Sequence, residues 1–145
     1  MEVKGSKNPI TFLFVCIENA GRSQIAEGFF KRYAPKEFKV QSAGTKPVSQ
    51  INLIAIQAMK EIGMDISTQQ SKELTDVMIR NSDYIINMRC MDKSFCPIIF
   101  LRKVTEWNLE DPKGKPIEEV RQIRNEIEKR VKELVAEITT IAAER

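Results

Sequence analysis

The chain has 145 residues, 42% of them apolar and 30% charged, with a net charge of +3. This length suits one domain with a real core. The mild charge, with lysine and glutamate interspersed toward the C-terminus, reads as a solvated helix face and excludes a nucleic-acid stripe. Residues 1–9 read as a flexible lead-in without a signal-peptide pattern, and no apolar run is long enough to span a membrane, so a cytoplasmic location is expected. Ile10 to Val15 is a short, nearly continuous apolar run, the pattern of a strand buried on both faces. Ser23 to Tyr33 follows with Ile25, Ala26, Phe29 and Phe30 at helical spacing, and Pro35 ends it. Phe38 to Gln41 predicts a second strand leading into a turn at Ser42-Ala43-Gly44. Asn52 to Ile62 carries an apolar helical face, with Gly63 as its C-cap.

Thr75 to Asn81 predicts a short helix, Tyr84 to Met88 a buried strand and Val104 to Leu109 a last strand. Ile117, Val120, Ile127, Val131, Leu134, Ile138 and Ile141 mark one face of a long C-terminal helix. Strands alternating with helices predict an α/β domain over residues 10–145. Its expected form is three layers, a four-stranded parallel sheet with helices on both faces. Sites in such sheets form at the carboxyl ends of strands, where Cys16, Cys90 and Asp111 all fall.

The chain has no histidine. This removes imidazole acid–base chemistry, Ser-His and Cys-His dyads and histidine metal ligands. The cysteines are Cys16, Cys90 and Cys96, an odd count that argues against a disulfide framework, and three thiols without histidine make a poor zinc site. Cys16 ends the first strand and precedes the loop Ile17-Glu18-Asn19-Ala20-Gly21, then Arg22, Ser23 and a helix. Backbone N–H groups and the helix dipole at such a place favour a thiolate and a tetrahedral oxyanion alike. Asn19 and Gly21 tolerate left-handed backbone angles that turn several N–H groups inward. The Arg22 fork grips two oxygens of a phosphate or arsenate, and the Ser23 hydroxyl can donate to the thiolate. The bare Cys-x5-Arg spacing carries little weight, since Cys96 and Arg102 also match it.

Phe14-Val-Cys16-Ile-Glu-Asn19-Ala-Gly-Arg22-Ser23-Gln-Ile-Ala-Glu27-Gly28 resembles the phosphate-loop signature of the low-molecular-weight protein tyrosine phosphatase fold. More specifically, it resembles the thioredoxin-coupled arsenate reductases built on that fold. The likeness continues in order through Ser42-Ala-Gly44, Ala58 to Ser67, Cys90…Cys96-Pro97 and Trp107…Asp111-Pro112. Gln24 stands where the phosphatases usually have proline, and Lys113-Gly114 where they usually present tyrosines. Both differences, with the Cys90…Cys96 pair, point to the reductase branch. The five-residue gap between those cysteines is shorter than in typical bacterial reductases.

The resemblance implies reduction of arsenate to arsenite. Cys16 is the implied nucleophile, the loop residues 17–23 and Arg22 hold arsenate (or phosphate or sulfate), and Asp111 is a general acid or positions Cys16. Cys90 and Cys96 are the implied relay thiols, regenerated by thioredoxin. It also implies a potassium ion near Asn19, Glu27, Ser42 and Asp65, oxygen-bearing residues suited to a hard cation, although these could equally form a hydrogen-bond network alone. No tightly bound cofactor, nucleic acid or membrane partner is expected. The competing expectations are a tyrosine phosphatase working through a cysteinyl phosphate, and a non-catalytic oxyanion-binding or redox-sensing module.

Overall fold

Thr11–Cys16 forms strand β1, and its side chains divide between two cores. Phe12, Phe14 and Cys16 enter one cluster, while Leu13 and Val15 enter another. A strand with apolar residues on both faces must be covered on both faces, as the continuous apolar run predicts. The computed structural model describes residues 10–88 and 104–143. The lead-in of residues 1–9, Cys90 and Cys96 lie outside the described residues.

Helix α1 follows over Arg22–Tyr33, then β2 over Lys39–Gly44 and α2 over Leu53–Lys60. Helix α3 spans Asp76–Asn81, β3 Tyr84–Asn87, β4 Val104–Glu106 and α4 Ile117–Ala143. The four strands form one parallel sheet in the order β2-β1-β3-β4. The chain leaves β1 to one side for β2 and later returns to the other side for β3. That reversal makes the carboxyl end of β1 the switch point of the sheet, where a crevice opens.

Helices α1, α2 and α4 cover one face through Phe29, Phe30, Ala55, Met59, Ile123 and Ile127. Ile79 of α3 covers the other with Leu74. Phe12 is the hinge of the aromatic packing, with ring centroids 4.6 Å from Phe30 and 4.9 Å from Tyr84. These separations are in the favourable range for ring pairs.

The structure departs from the sequence pattern at several places. The turn expected at Ser42-Ala43-Gly44 is instead the end of β2, because Phe14, Val15 and Cys16 pair with these residues in register. Pairing with a central strand overrides the local turn preference of serine and glycine. The last strand is shorter than expected, ending at Glu106. On α4, Val120, Ile127, Val131 and Ile138 are buried as the stripe predicts, and so is Ile123, whereas Ile141 is 39% exposed.

Asn52 caps α2 by accepting from the Ile54 N–H at 3.0 Å. Gly63, with φ of +80°, takes the left-handed turn just past the helix end. Arg124, buried in α4, donates to the Ala58 carbonyl at 2.7 Å and to Glu61 at 3.1 Å, fixing the end of α2 to α4.

Candidate oxyanion site

The loop between β1 and α1 sits at the switch point. Its shape depends on two backbone features. Asn19 has φ of +51°, in the left-handed region that asparagine tolerates. Gly44, at the end of β2, lets the loop pass unusually close. A Cβ there would lie 2.5 Å from the Ile17 carbonyl oxygen and 2.8 Å from the Asn19 nitrogen. The loop is then tied from behind. Thr45, Lys46 and Val48 N–H groups donate to the carbonyls of Cys16, Ile17 and Glu18 at 3.2, 2.7 and 3.1 Å. Ser71 Oγ also donates to Glu18 O, and Asn52 N–H donates to Ala20 O. These bonds engage the carbonyls of Cys16, Ile17, Glu18 and Ala20.

Cys16 is 2% exposed, and its Sγ lies 2.8 Å from Ser23 Oγ. The surrounding hydrogen bonds orient that hydroxyl. The Lys72 N–H donates to Asn19 Oδ1 at 2.7 Å, which fixes the amide. Asn19 Nδ2 therefore faces Ser23 Oγ and donates to it at 2.7 Å. Ser23 thus accepts from Asn19 and keeps its own proton to donate toward Cys16.

Arg22 is 5% exposed. Its Nη1 donates to the Leu109 carbonyl at 3.0 Å, and its Nη2 lies 3.7 Å from Asp111 Oδ2. A guanidinium has five N–H donors, and these two contacts engage few of them. A buried charged group so sparsely matched signals a place for an anion. Asp111 accepts at Oδ1 from the Lys113 N–H at 3.0 Å. Of the expected site residues, the structure brings together Cys16, Ile17 to Ser23 and Asp111.

Several contributors were not anticipated. Gln24 is fully buried and donates to the carbonyls of Asn19 and Gln70 at 2.9 and 3.0 Å. Gln69 Nε2 donates to Gln24 Oε1 at 2.7 Å. This side chain stitches the loop to the segment before β3. Lys72 holds Asn19, and Lys113 joins the site through Glu18 at 2.8 Å. The amine of Lys72 is pushed below its ordinary value by burial, against the opposing pull of Glu27. Only the replacement of proline by glutamine at position 24 stood out in the sequence. The others depend on contacts distant along the chain.

The residues proposed for potassium have protein partners. Ser42 Oγ donates to Glu27 Oε1 at 2.5 Å, and Lys31 Nζ is 2.7 Å from Glu27 Oε2. Both polar atoms of the Asn19 side chain are used. Asp65 is exposed and accepts from the Ser67 N–H and hydroxyl, which hold its carboxyl below the ordinary value. Lys31 supplies the counter-charge to buried Glu27, so these residues do not fit a potassium ion. They fit the alternative of a hydrogen-bond network without one.

A cysteine-bearing loop between the first strand and the first helix of a parallel sheet defines the class, and comparison with known proteins agrees. The family model described as low molecular weight phosphotyrosine protein phosphatase matches residues 11–144, and the chain belongs to this family. An arsenate reductase of Staphylococcus aureus (strain Newman) is 38% identical over 119 residues, covering 81% of this chain and 89% of the relative. A thioredoxin-dependent arsenate reductase of Corynebacterium glutamicum superposes with a TM-score of 0.78 at 37% identity. That match covers 93% of this chain and 64% of the other, so the chain spans under two thirds of that protein's length. An arsenate reductase in its phosphate-binding state gives a TM-score of 0.78 at 34% identity, covering 89% and 98% of the two chains. Among the described residues, no helix is long and apolar enough to cross a membrane.

Proposed function

We propose that this protein reduces arsenate to arsenite with Cys16 as the first nucleophile. The observation that carries this reading is the pairing of a buried thiol, 2.8 Å from an oriented Ser23 hydroxyl, with a sparsely matched buried Arg22. The curated relatives that align over most of the chain are named arsenate reductases, which favours arsenate over a phosphate ester.

The residues act as follows. Arsenate is held by the N–H groups of Ile17 to Ser23 and by Arg22. The Cys16 thiolate attacks arsenic, and one oxygen departs as water with a proton from Asp111. Cys90 thiolate then attacks Cys16 Sγ. The sulfur–arsenic bond breaks, its electron pair stays on arsenic, and arsenite leaves. Two thiols have now become the Cys16–Cys90 disulfide, which balances the two-electron reduction of arsenic. Cys96 thiolate attacks Cys90 Sγ, freeing Cys16 and leaving a Cys90–Cys96 disulfide. A thioredoxin dithiol reduces that bond and completes the cycle.

Single substitutions test the scheme. Cys16→Ser abolishes arsenate reduction and any aryl phosphate hydrolysis. Cys90→Ser and Cys96→Ser abolish thioredoxin-dependent arsenate turnover and leave inorganic phosphate binding intact. Normal turnover in either relay variant would sink the relay.

A further inference from the structure

The turn carrying Asp111 meets the anion loop at four places. Arg22 donates to the Leu109 carbonyl at 3.0 Å and lies 3.7 Å from Asp111. Pro112 Cγ is 3.0 Å from where a Cβ on Gly21 would stand, so proline and loop are in close contact. Lys113 Nζ donates to Glu18 Oε2 at 2.8 Å. This fourth contact, like the 47% exposed side chain of Asp111, reaches solvent. Its side chains are 64% and 30% exposed.

Both partners are anchored where they join the site. The Lys113 N–H donates to Asp111 Oδ1, and the Glu18 carbonyl accepts from Val48 N–H and Ser71 Oγ. The pair therefore bridges the back-tied loop and the residues beside Asp111. The hydrogen bond to Glu18 holds the Lys113 amine above its ordinary value, so the lysine is charged throughout the neutral range.

We propose that the Lys113–Glu18 ion pair is a substrate-selecting strap, admitting an inorganic tetrahedral oxyanion to the loop and hindering one that carries an aryl substituent. The proposal deepens the reading of the loop as an oxyanion cradle and rests on it. A bare oxyanion carries no substituent past the pair, whereas an aryl phosphoryl group bound by the loop and Arg22 would carry its ring past the turn that Lys113 ties to Glu18. The pair touches no reacting atom and acts by position. An exposed ion pair biases an equilibrium only modestly, so the selection is graded, about three- to fivefold.

The test is calorimetric binding of inorganic phosphate and of phenylphosphonate to the full chain. The proteins are wild type, Lys113→Met, Glu18→Gln and the exchanged double variant Glu18→Lys with Lys113→Glu. The expected result for Lys113→Met is a fall of about three- to fivefold in the ratio of the phenylphosphonate Kd to the phosphate Kd. Glu18→Gln shifts the ratio of the two constants the same way, and the exchanged pair restores it. High salt reproduces the effect in wild type and not in Lys113→Met, because it screens an exposed pair. An unchanged ratio in the single variants overturns the proposal, as does failure of the exchange to restore it. A parallel change in both constants also overturns it, since that reports a general loosening of the loop. These measurements involve neither arsenate, Cys90, Cys96 nor thioredoxin, so they stand if the relay fails. Absence of phosphate binding by wild type would strike the cradle reading instead.

Discussion

Gly44→Ala tests whether the sheet shapes the anion loop. The added Cβ would lie 2.5 Å from Ile17 O, 2.8 Å from Asn19 N and 3.0 Å from Asn19 Cβ. Two of these three atoms are backbone, so no side chain can swing aside. Restoring ordinary contact, 3.4 Å or more, moves the loop by about 0.9 Å. Overpacking of this kind costs about 1–3 kcal/mol. For a domain of this size that lowers Tm by roughly 2–12 °C. The same displacement moves the N–H groups away from the oxyanion, and an error near 1 Å costs about a hundredfold in turnover. Gly63→Ala is the matched control. Its φ is +80° with nothing within 4 Å, so only backbone strain of about 1–2 kcal/mol is added, far from the loop. Thermal melts, phosphate calorimetry and Cys16-dependent turnover read the two variants. Gly44→Ala is expected to lose stability, phosphate affinity and turnover together, and Gly63→Ala stability alone. Wild-type phosphate binding in Gly44→Ala would show that the end of β2 does not shape the loop.

Further outcomes follow from other contacts. Gln24→Ala strips buried donors from the Asn19 and Gln70 carbonyls, so a loss of about 1–3 kcal/mol is expected in urea unfolding, and a wild-type midpoint would contradict it. Hydrogen bonds from Arg121 and then Arg124 hold the Glu61 carboxyl below its ordinary 4.5. The stability it contributes is therefore complete above that pH and is lost as pH falls through the lower folded value. The Tm gap between wild type and Glu61→Gln should accordingly shrink on going from about pH 7 to about pH 3, and a constant gap would argue against the ion pairs. Because Lys31 already faces Glu27 at 2.7 Å, replacing sodium with potassium at constant ionic strength should leave both Tm and turnover unchanged. A rise specific to potassium would show that the ion binds.

The parts of the fold carried by local periodicity were legible in the sequence. Strand β1 announced itself because its residues are apolar on both faces, and α4 because its buried positions recur at helical spacing. The sheet end at Ser42 to Gly44 was not legible, since its strand character comes from pairing with Phe14 to Cys16. The site divides the same way. Cys16, the loop and Arg22 lie within one short segment and could be read together. The groups that orient them come from far along the chain. The Lys72 N–H that fixes Asn19 is 53 residues away, and the Lys113 amine that meets Glu18 is 95 residues away. No sequence spacing marks such contacts. Lys31 is a different case. It reads locally as an ordinary helix-surface lysine, one turn beyond Glu27, until Glu27 proves to be buried.

In the proposed scheme Cys16 opens a three-thiol reduction of arsenate. The most direct measurement is a single turnover: reduced protein with one equivalent of arsenate and no thioredoxin, followed by arsenite quantification, thiol counting and mass-spectrometric disulfide mapping. The expected result is one arsenite per protein, loss of two thiols and a Cys90–Cys96 disulfide that thioredoxin then removes. No arsenite, with all three thiols still free, would contradict it.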